Sequence, residues 1–221
     1  MVNFNQKIGV ATDAVIFTVI RGELKVLLIQ MKKTPFTGKW AVPGGLIEDH
    51  ETTETAAKRI LKDQTSLNNV YLEQLQTFDE PKRDPNGRVI SVAYMALVPS
   101  NDLKLKTTDR YSDVRWWGVK KLPTLAYDHS KIFKIALERL RAKLEYTNIV
   151  WSLLPTEFTL TQLQDIYEII LGRKLDKRNF RRKVIELGFV ISTGKKIKGE
   201  AYRPAELFRF KQKKLAYVEV M

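Results

Sequence analysis

Between Thr159 and Gly188 the chain carries two complete sets of helix start and stop signals a few residues apart, and no other stretch restricts its fold as much. Thr159 followed three residues later by Gln162 is a capping-box pattern, in which each side chain satisfies a backbone N–H that the first turn leaves open. Leu160, Leu163, Ile166, Ile169 and Ile170 follow at helical spacing, and Gly172 suits a left-handed C-terminal cap. Asp176 is an N-cap for a second helix that ends at Leu187-Gly188. Two helices joined by a short Gly-containing turn predict a helix-turn-helix. Successive residues about 100° apart put Phe180, Val184 and Leu187 on a buried face of the second helix. Arg178, Asn179, Arg182 and Lys183 fall outside, with Arg181 at the boundary and Lys177 in the first turn.

Beyond Gly188, residues 189–192 and 207–210 have strand character and flank 193–205, a connection holding Lys195, Lys196, Lys198 and Arg203. Helix, turn, basic helix and basic hairpin predict a winged helix-turn-helix over residues 146–221. The charge is placed accordingly. The chain is net +13, and residues 173–214 hold 15 Lys+Arg against 4 Asp+Glu, whereas residues 1–172 hold 23 against 20. A local excess of this kind points to a polyanionic partner, nucleic acid or an acidic membrane surface. Arg and Asn can pair bidentately with guanine and adenine edges, and the start of a recognition helix is the part that reaches them. Lys177, Arg178, Asn179, Arg181 and Arg182 are therefore the candidate DNA-contacting residues of the helix, with Arg178, Asn179 and Arg182 as base readers. Lys195, Lys196, Lys198 and Arg203 are assigned to backbone phosphates. No aromatic side chains interleave the outward cations to stack on bases, which disfavours RNA. A small protein-interaction module is the alternative; the placement of the charge favours double-stranded DNA.

The first 145 residues have another character. Residues 14–20 and 24–30 are aliphatic and β-branched runs separated by Arg21-Gly22-Glu23, a hairpin pattern. Residues 34–45 are loop-like, with Pro35, Gly38, Pro43, Gly44 and Gly45; a helix is expected from 52 to about 67. Further strands are expected over 72–78, 88–98 and 114–119, with a turn at Asp84-Pro85-Asn86-Gly87. An amphipathic helix over 129–144 ends a mixed α/β domain. With 44% hydrophobic residues the chain can form packed cores.

Within that domain Gly45-x5-Glu51-x7-Arg59, preceded by Trp40-Ala41-Val42-Pro43-Gly44, resembles the first half of the Nudix signature, G-x5-E-x7-R-E-U-x-E-E-x-G-U with U aliphatic. In that family the glutamates of a loop-helix-loop bind a divalent metal and promote attack of water on a nucleoside diphosphate linkage. Mg²⁺ takes oxygen ligands, and helix positions three and four apart present them on one face. Here the second half reads Arg59-Ile60-Leu61-Lys62-Asp63-Gln64-Thr65-Ser66-Leu67. Gly45, Glu51, Arg59, Leu61 and Leu67 match. The three glutamate positions are Ile60, Asp63 and Gln64, and the second glycine is Ser66. Asp63 is the one carboxylate left, so Gly45, Glu51, Arg59 and Asp63 are expected to be vestiges without catalysis, no metal site is expected, and Glu51 with Arg59 can brace the loop as an ion pair.

The whole chain resembles the Nudix-related transcriptional regulators, including those of NAD metabolism. Besides the box, the resemblance runs through Pro35-Phe36-x-Gly38-x-Trp40, Arg83-Asp84-Pro85, Leu125-Ala126-Tyr127-Asp128-His129, Leu154-Pro155-x-Glu157-Phe158-Thr159-Leu160 and Asp176-Lys177-Arg178-Asn179-Phe180-Arg181-Arg182. It implies an α+β chain: a Nudix α/β/α sandwich with a mixed sheet (1–145), then a winged helix-turn-helix (146–221). It further implies a dimeric repressor on palindromic operators, modulated by a small molecule in the Nudix pocket. ADP-ribose is the effector in the NAD-linked branch, other branches sense sugars or related metabolites, and no other cofactor is required. Lys39, Arg83, Glu51 and Asp128 form the candidate effector set. For Lys39 and Arg83 a solvated charge is the competing role, and for Asp128 and His129 it is capping of the helix that follows. Trp40, Trp116 and Trp117 are expected in the core.

Composition removes several other classes. With no cysteine there is no disulfide, thiolate metal site or Cys nucleophile, and His50 and His129 are the only histidines. No apolar segment follows a basic start at the N-terminus, and no uncharged apolar stretch reaches about 18 residues. A cytoplasmic protein without a membrane partner is expected. The remaining alternative is an active Nudix hydrolase of the ADP-ribose pyrophosphatase type with an accessory basic domain.

Overall fold

The computed structural model describes residues 7–66, 70–100, 105, 107–197 and 204–217. The chain forms two compact units, Met1–Thr18 with Lys25–Leu137 and Val19–Leu24 with Glu138–Met221.

The first unit is built on a mixed sheet. Strands β1 (Gly9–Ile20) and β2 (Glu23–Met31) meet at Arg21 and Gly22, both left-handed with φ of 52° and 75°. Two such residues give the turn whose twist matches a hairpin. Two short strands follow inside the expected loop, β3 (Trp40–Ala41) and β4 (Gly44–Leu46). They were hidden in the sequence because glycines and a two-residue segment carry no side-chain periodicity. Helix α1 (Thr53–Thr65) starts at Thr52, which forms a capping box with Thr55. It stops at Ser66, where φ is 61° in the position the Nudix pattern gives to glycine. Strands β5 (Tyr71–Phe78), β6 (Val89–Leu97) and β7 (Tyr111–Gly118) follow, and then helix α2 (His129–Tyr146), whose residues from Glu138 onward belong to the second unit.

The strand order is β3-β2-β1-β6-β5, with β4 also on β1 and β7 also on β2. β1 and β6 are parallel, whereas β4, β3, β7 and β5 pair antiparallel with their neighbours. Central β1 is buried without interruption from Ala11 to Thr18, so both of its faces are covered. Because successive side chains alternate between faces, Ala14 and Ile16 join Ile60 and Leu61 of α1 on one side. Phe17 meets Phe133 of α2 on the other, ring centroids 6.1 Å apart. This is an α/β/α sandwich.

The second unit contains a short 3-10 helix (Ile149–Ser152), α3 (Leu160–Leu171), α4 (Lys177–Glu186), β8 (Val190–Ile197) and β9 (Ala205–Phe210). Both bonds of the Thr159–Gln162 capping box form, Gly172 is the left-handed C-cap, and Asp176 accepts from the Asn179 N–H as N-cap. Leu163, Tyr167, Phe180 and Val184 are buried, and Tyr167 meets Phe180 edge-on at 5.1 Å. Leu187 is half-buried because it is already the C-cap of α4. Phe158 exchanges both backbone bonds with Phe208, at 2.9 and 2.7 Å, which ties the start of α3 to the hairpin. β8 is longer than the expected 189–192: the register shifts between Ser192 and Lys196, at left-handed Gly194, and pairing resumes to Ile197. Lys195 and Lys196 therefore lie on a strand. Lys198 and Arg203 fall outside the described residues. Among the described residues no helix is long and apolar enough to cross a membrane.

Candidate functional site

A carboxylate in the middle of an apolar strand organises the first unit. Asp13 of β1 is 4% exposed, and burying it is tolerable only with strong partners. Ser91 Oγ donates to Asp13 Oδ2 at 2.6 Å, and Arg83 Nη2 donates to the same oxygen at 3.3 Å. Arg83 also donates Nε and Nη2 to the two carboxylate oxygens of Asp128, at 3.1 and 2.7 Å. Burial alone would pull the Arg83 guanidinium down; the hydrogen bond to Asp128 and the charges of Asp13 and Asp128 outweigh it and raise its pKa.

His129 Nε2 stands 3.5 Å from Asp13 Oδ1, and its Nδ1 accepts from the Val42 N–H at 3.1 Å. An Nδ1 that accepts carries no proton, so the ring is neutral. Burial lowers its pKa in spite of the neighbouring Asp13 and Asp128. Tyr127 stacks on His129 at 5.1 Å and meets Phe36 at 4.3 Å with the rings tilted by 52°. It does so from a left-handed backbone, φ 52°, uncommon for a bulky residue.

A cavity of about 320 Å³ has Asp13, Arg83, Asp84, Arg110, Tyr127 and His129 in its wall, with Gly44 and Gly45 on the β4 side. Apolar walls with a few convergent polar groups are the usual make-up of a small-molecule site. Gly44 is obligatory: a Cβ there would lie 2.1 Å from Asp13 Oδ1 and 3.0 Å from the Thr12 carbonyl.

The Nudix helix presents a different chemistry. Glu51 accepts from Arg59 Nε and Nη2 at 2.6 and 2.7 Å and from the Glu48 N–H at 3.0 Å. The hydrogen bond from Arg59 contributes most to holding the Glu51 carboxyl down at about 2. This pair braces the loop before α1. Ile60 is buried at 4% exposure in the core, Gln64 is 2% exposed, and Asp63 faces solvent. With Glu48, Arg59, Arg110 and Tyr111 they line a second cavity of about 190 Å³. An isoleucine, an amide and one aspartate do not fit a divalent cation that needs several charged oxygens. Among the described residues no group of three His, Asp or Glu side chains is placed to hold a metal ion.

In the second unit α4 turns its charges outward. Lys177, Arg178, Asn179 and Arg182 are exposed, Arg181 and Lys183 half-buried. Arg181 Nη2 donates to Thr161 Oγ1 at 2.8 Å, fixing α4 to the first turn of α3. Lys195 Nζ donates to Glu157 Oε1 at 2.9 Å, whereas Lys196 is exposed. The turn between the helices is held by Glu168, which accepts from Lys174 Nζ at 2.6 Å, the Leu175 N–H at 3.0 Å and Gln164 Nε2 at 2.9 Å. Those bonds, that of Lys174 first, hold its carboxyl at about 2.

Of the sequence candidates, Arg83 lines the larger cavity, and Asp128, which is not in its wall, pairs with Arg83. Lys39 is exposed and does not line it, and Glu51 is occupied by Arg59. The sequence candidates omitted Asp13, Ser91, Arg110, Tyr111 and Glu168. Asp13 had a signal, a lone carboxylate in Val10-Ala11-Thr12-Asp13-Ala14-Val15; the others had none. Trp40 is in the core against Trp117 at 5.2 Å, with Trp116 and Trp117 half-buried.

Comparison with known proteins agrees with both halves. Residues 10–136 match the NUDIX domain family, and residues 150–210 match the NrtR DNA-binding winged helix domain. The chain is 40% identical over 204 residues to the ADPR responsive transcriptional repressor NtrR of Acinetobacter baylyi, covering 90% of this chain and 80% of that protein. The crystal structure of Shewanella oneidensis NrtR complexed with a 27mer DNA superposes with a TM-score of 0.81 at 36% identity, covering 91% of this chain and 93% of the other. The NUDIX domain of the same protein, complexed with ADP ribose, gives a TM-score of 0.55 at 36% identity over 61% of this chain and 90% of the other. A cavity lined by buried charges on a Nudix fold whose metal face has been dismantled, followed by a basic winged helix, is thus accounted for by descent: the chain belongs to the NrtR family of Nudix-related transcriptional regulators.

Proposed function

We propose that this protein is an ADP-ribose-responsive transcriptional repressor, whose Nudix domain binds the effector and whose winged helix binds double-stranded DNA. The observation that carries the reading is the pairing, in one chain, of the cavity lined by Asp13 and Arg83, the latter held by Asp128, with the exposed cations of α4. Carboxylates and a guanidinium held rigidly by one another suit the hydroxyls and phosphates of a nucleotide sugar. Arg178, Asn179 and Arg182 read base edges, Lys177 and Arg181 support them, and the wing cations Lys195, Lys196, Lys198 and Arg203 bind backbone phosphate. One recognition helix makes few base contacts, so the working form is a homodimer on a palindromic operator with half-sites about 34 Å apart. Such a regulator works beside the chromosome, in the cytoplasm.

The effector alters DNA affinity only if two arrangements of the protein bind it unequally. Helix α2 begins at cavity-lining His129 and runs to Tyr146, which makes residues 129–147 the segment for that coupling. The deciding experiment is fluorescence anisotropy of a labelled duplex from the gene's own upstream region, with and without ADP-ribose, at fixed salt and without metal. Tight, sequence-dependent binding that ADP-ribose changes is expected. Sequence-blind, salt-sensitive binding together with Mg²⁺-dependent conversion of ADP-ribose to AMP and ribose phosphate would replace this reading with the hydrolase.

A further inference from the structure

The degenerate metal face adjoins an arginine with no role assigned so far. Arg110 lines both cavities, together with Gly44 and Tyr111, and so stands where the two meet. It is exposed and forms no ion pair among the described residues. Its backbone is fixed on both sides: the Arg110 N–H donates to Thr108 Oγ1 at 3.4 Å and the Tyr111 N–H to the Thr108 carbonyl at 3.1 Å. The Tyr111 hydroxyl then donates to the Gly44 carbonyl at 2.9 Å. The guanidinium lies beside Gly45: its Nη1 is 3.8 Å from where a Cβ would stand there, an ordinary contact distance.

The second observation is Gln64. The residue is 2% exposed and lines the smaller cavity, and its Oε1 has no hydrogen-bond partner among the described residues. An unpaired buried amide group costs free energy that a ligand would recover. A glutamate in this position repels a phosphate unless a cation stands between them, whereas a neutral amide can turn an N–H towards phosphate or an oxygen towards a hydroxyl. The remaining carboxylates are Glu48, 3.8 Å from Arg59, and solvent-facing Asp63.

We propose that the former metal cavity is a metal-free anion subsite, in which Arg110 takes the place of the divalent cation and, with the Gln64 amide, holds the diphosphate of the effector. The proposal rests on ADP-ribose being the effector. It explains why losing the metal ligands need not cost affinity for an anionic molecule: repulsion and metal are removed together, and a fixed guanidinium supplies the charge.

Calorimetric titration of the full chain with ADP-ribose, in excess EDTA and in Mg²⁺, tests it. The affinity should be the same in both, within about twofold. Arg110→Ala should weaken binding roughly tenfold or more without changing the melting temperature. Asp63→Asn should leave binding unchanged or tighten it, because a repelling carboxylate is lost; a metal-bridged site requires the opposite sign. Binding only in Mg²⁺, weakening by Asp63→Asn, or an unaffected Arg110→Ala overturns the subsite while leaving ADP-ribose as effector. No binding of ADP-ribose under either condition overturns the effector assignment and the subsite with it.

Discussion

Arg83 and Asp128 are joined by two parallel hydrogen bonds, Nε to Oδ2 at 3.1 Å and Nη2 to Oδ1 at 2.7 Å, and the same guanidinium reaches Asp13. One buried cation thus serves two carboxylates, and the two sides of the arrangement are not equivalent. Removing Arg83 takes a cationic partner from both carboxylates, whereas removing the Asp128 charge leaves Arg83 still paired with Asp13. Arg83→Ala should cost about 3–5 kcal/mol, and Asp128→Asn clearly less. Urea denaturation of the two variants checks the order; equal losses would mean that the pairing does not bear on stability.

Glu51 ties the loop before α1 to Arg59, and its folded pKa of about 2 lies below the unfolded value of 4.5. A depressed carboxylate adds stability that is complete above the unfolded pKa and disappears as pH falls through the folded one. Glu168 behaves in the same way at the helix-turn-helix turn. Melting temperatures should therefore fall between pH 4.5 and about 2, and fall less steeply in Glu51→Gln and Glu168→Gln. Parallel curves for wild type and both variants would contradict the assignment.

Gly44→Ala would force a methyl group onto Asp13 Oδ1 and the Thr12 carbonyl. Displacing a buried, paired carboxylate should cost about 2 kcal/mol and also weaken effector binding, since Asp13 lines the cavity. A variant with wild-type stability and wild-type ADP-ribose affinity would show that β4 can move away freely.

On DNA, the helix and the wing should differ in kind. Arg182→Ala should lose about 1–3 kcal/mol and relax preference at one operator position. Lys196→Ala should weaken all duplexes alike and lower the salt slope by about 1. Salt-dependent anisotropy on operator and scrambled duplexes separates the two. If Arg182→Ala weakened both duplexes equally, Arg182 would be a phosphate contact.

Much of the scaffold was legible because its determinants are local. The Thr159–Gln162 box, the glycine at 172, the Asp176 cap and the outward row Arg178, Asn179 and Arg182 follow from spacings of three to seven residues, and all appear as expected. The same holds for the Arg21-Gly22 turn and for the start of α1. Elements with no side-chain period escaped notice: β3 and β4 within the expected loop, and the part of β8 beyond its bulge.

The sequence by itself determined the order of the longer elements, the broken metal face at Ile60 and Gln64, and the charge concentrated in residues 173–214. Only the tertiary structure decided which charges meet. Asp13 lies 70 residues from Arg83, and Arg83 lies 45 from Asp128; Lys195 finds Glu157 across 38 residues. A cap is fixed by backbone geometry within one turn, so a short window of sequence contains it. A buried ion pair exists only where the sheet register brings two distant positions together, and that register is set by the packing of the whole core.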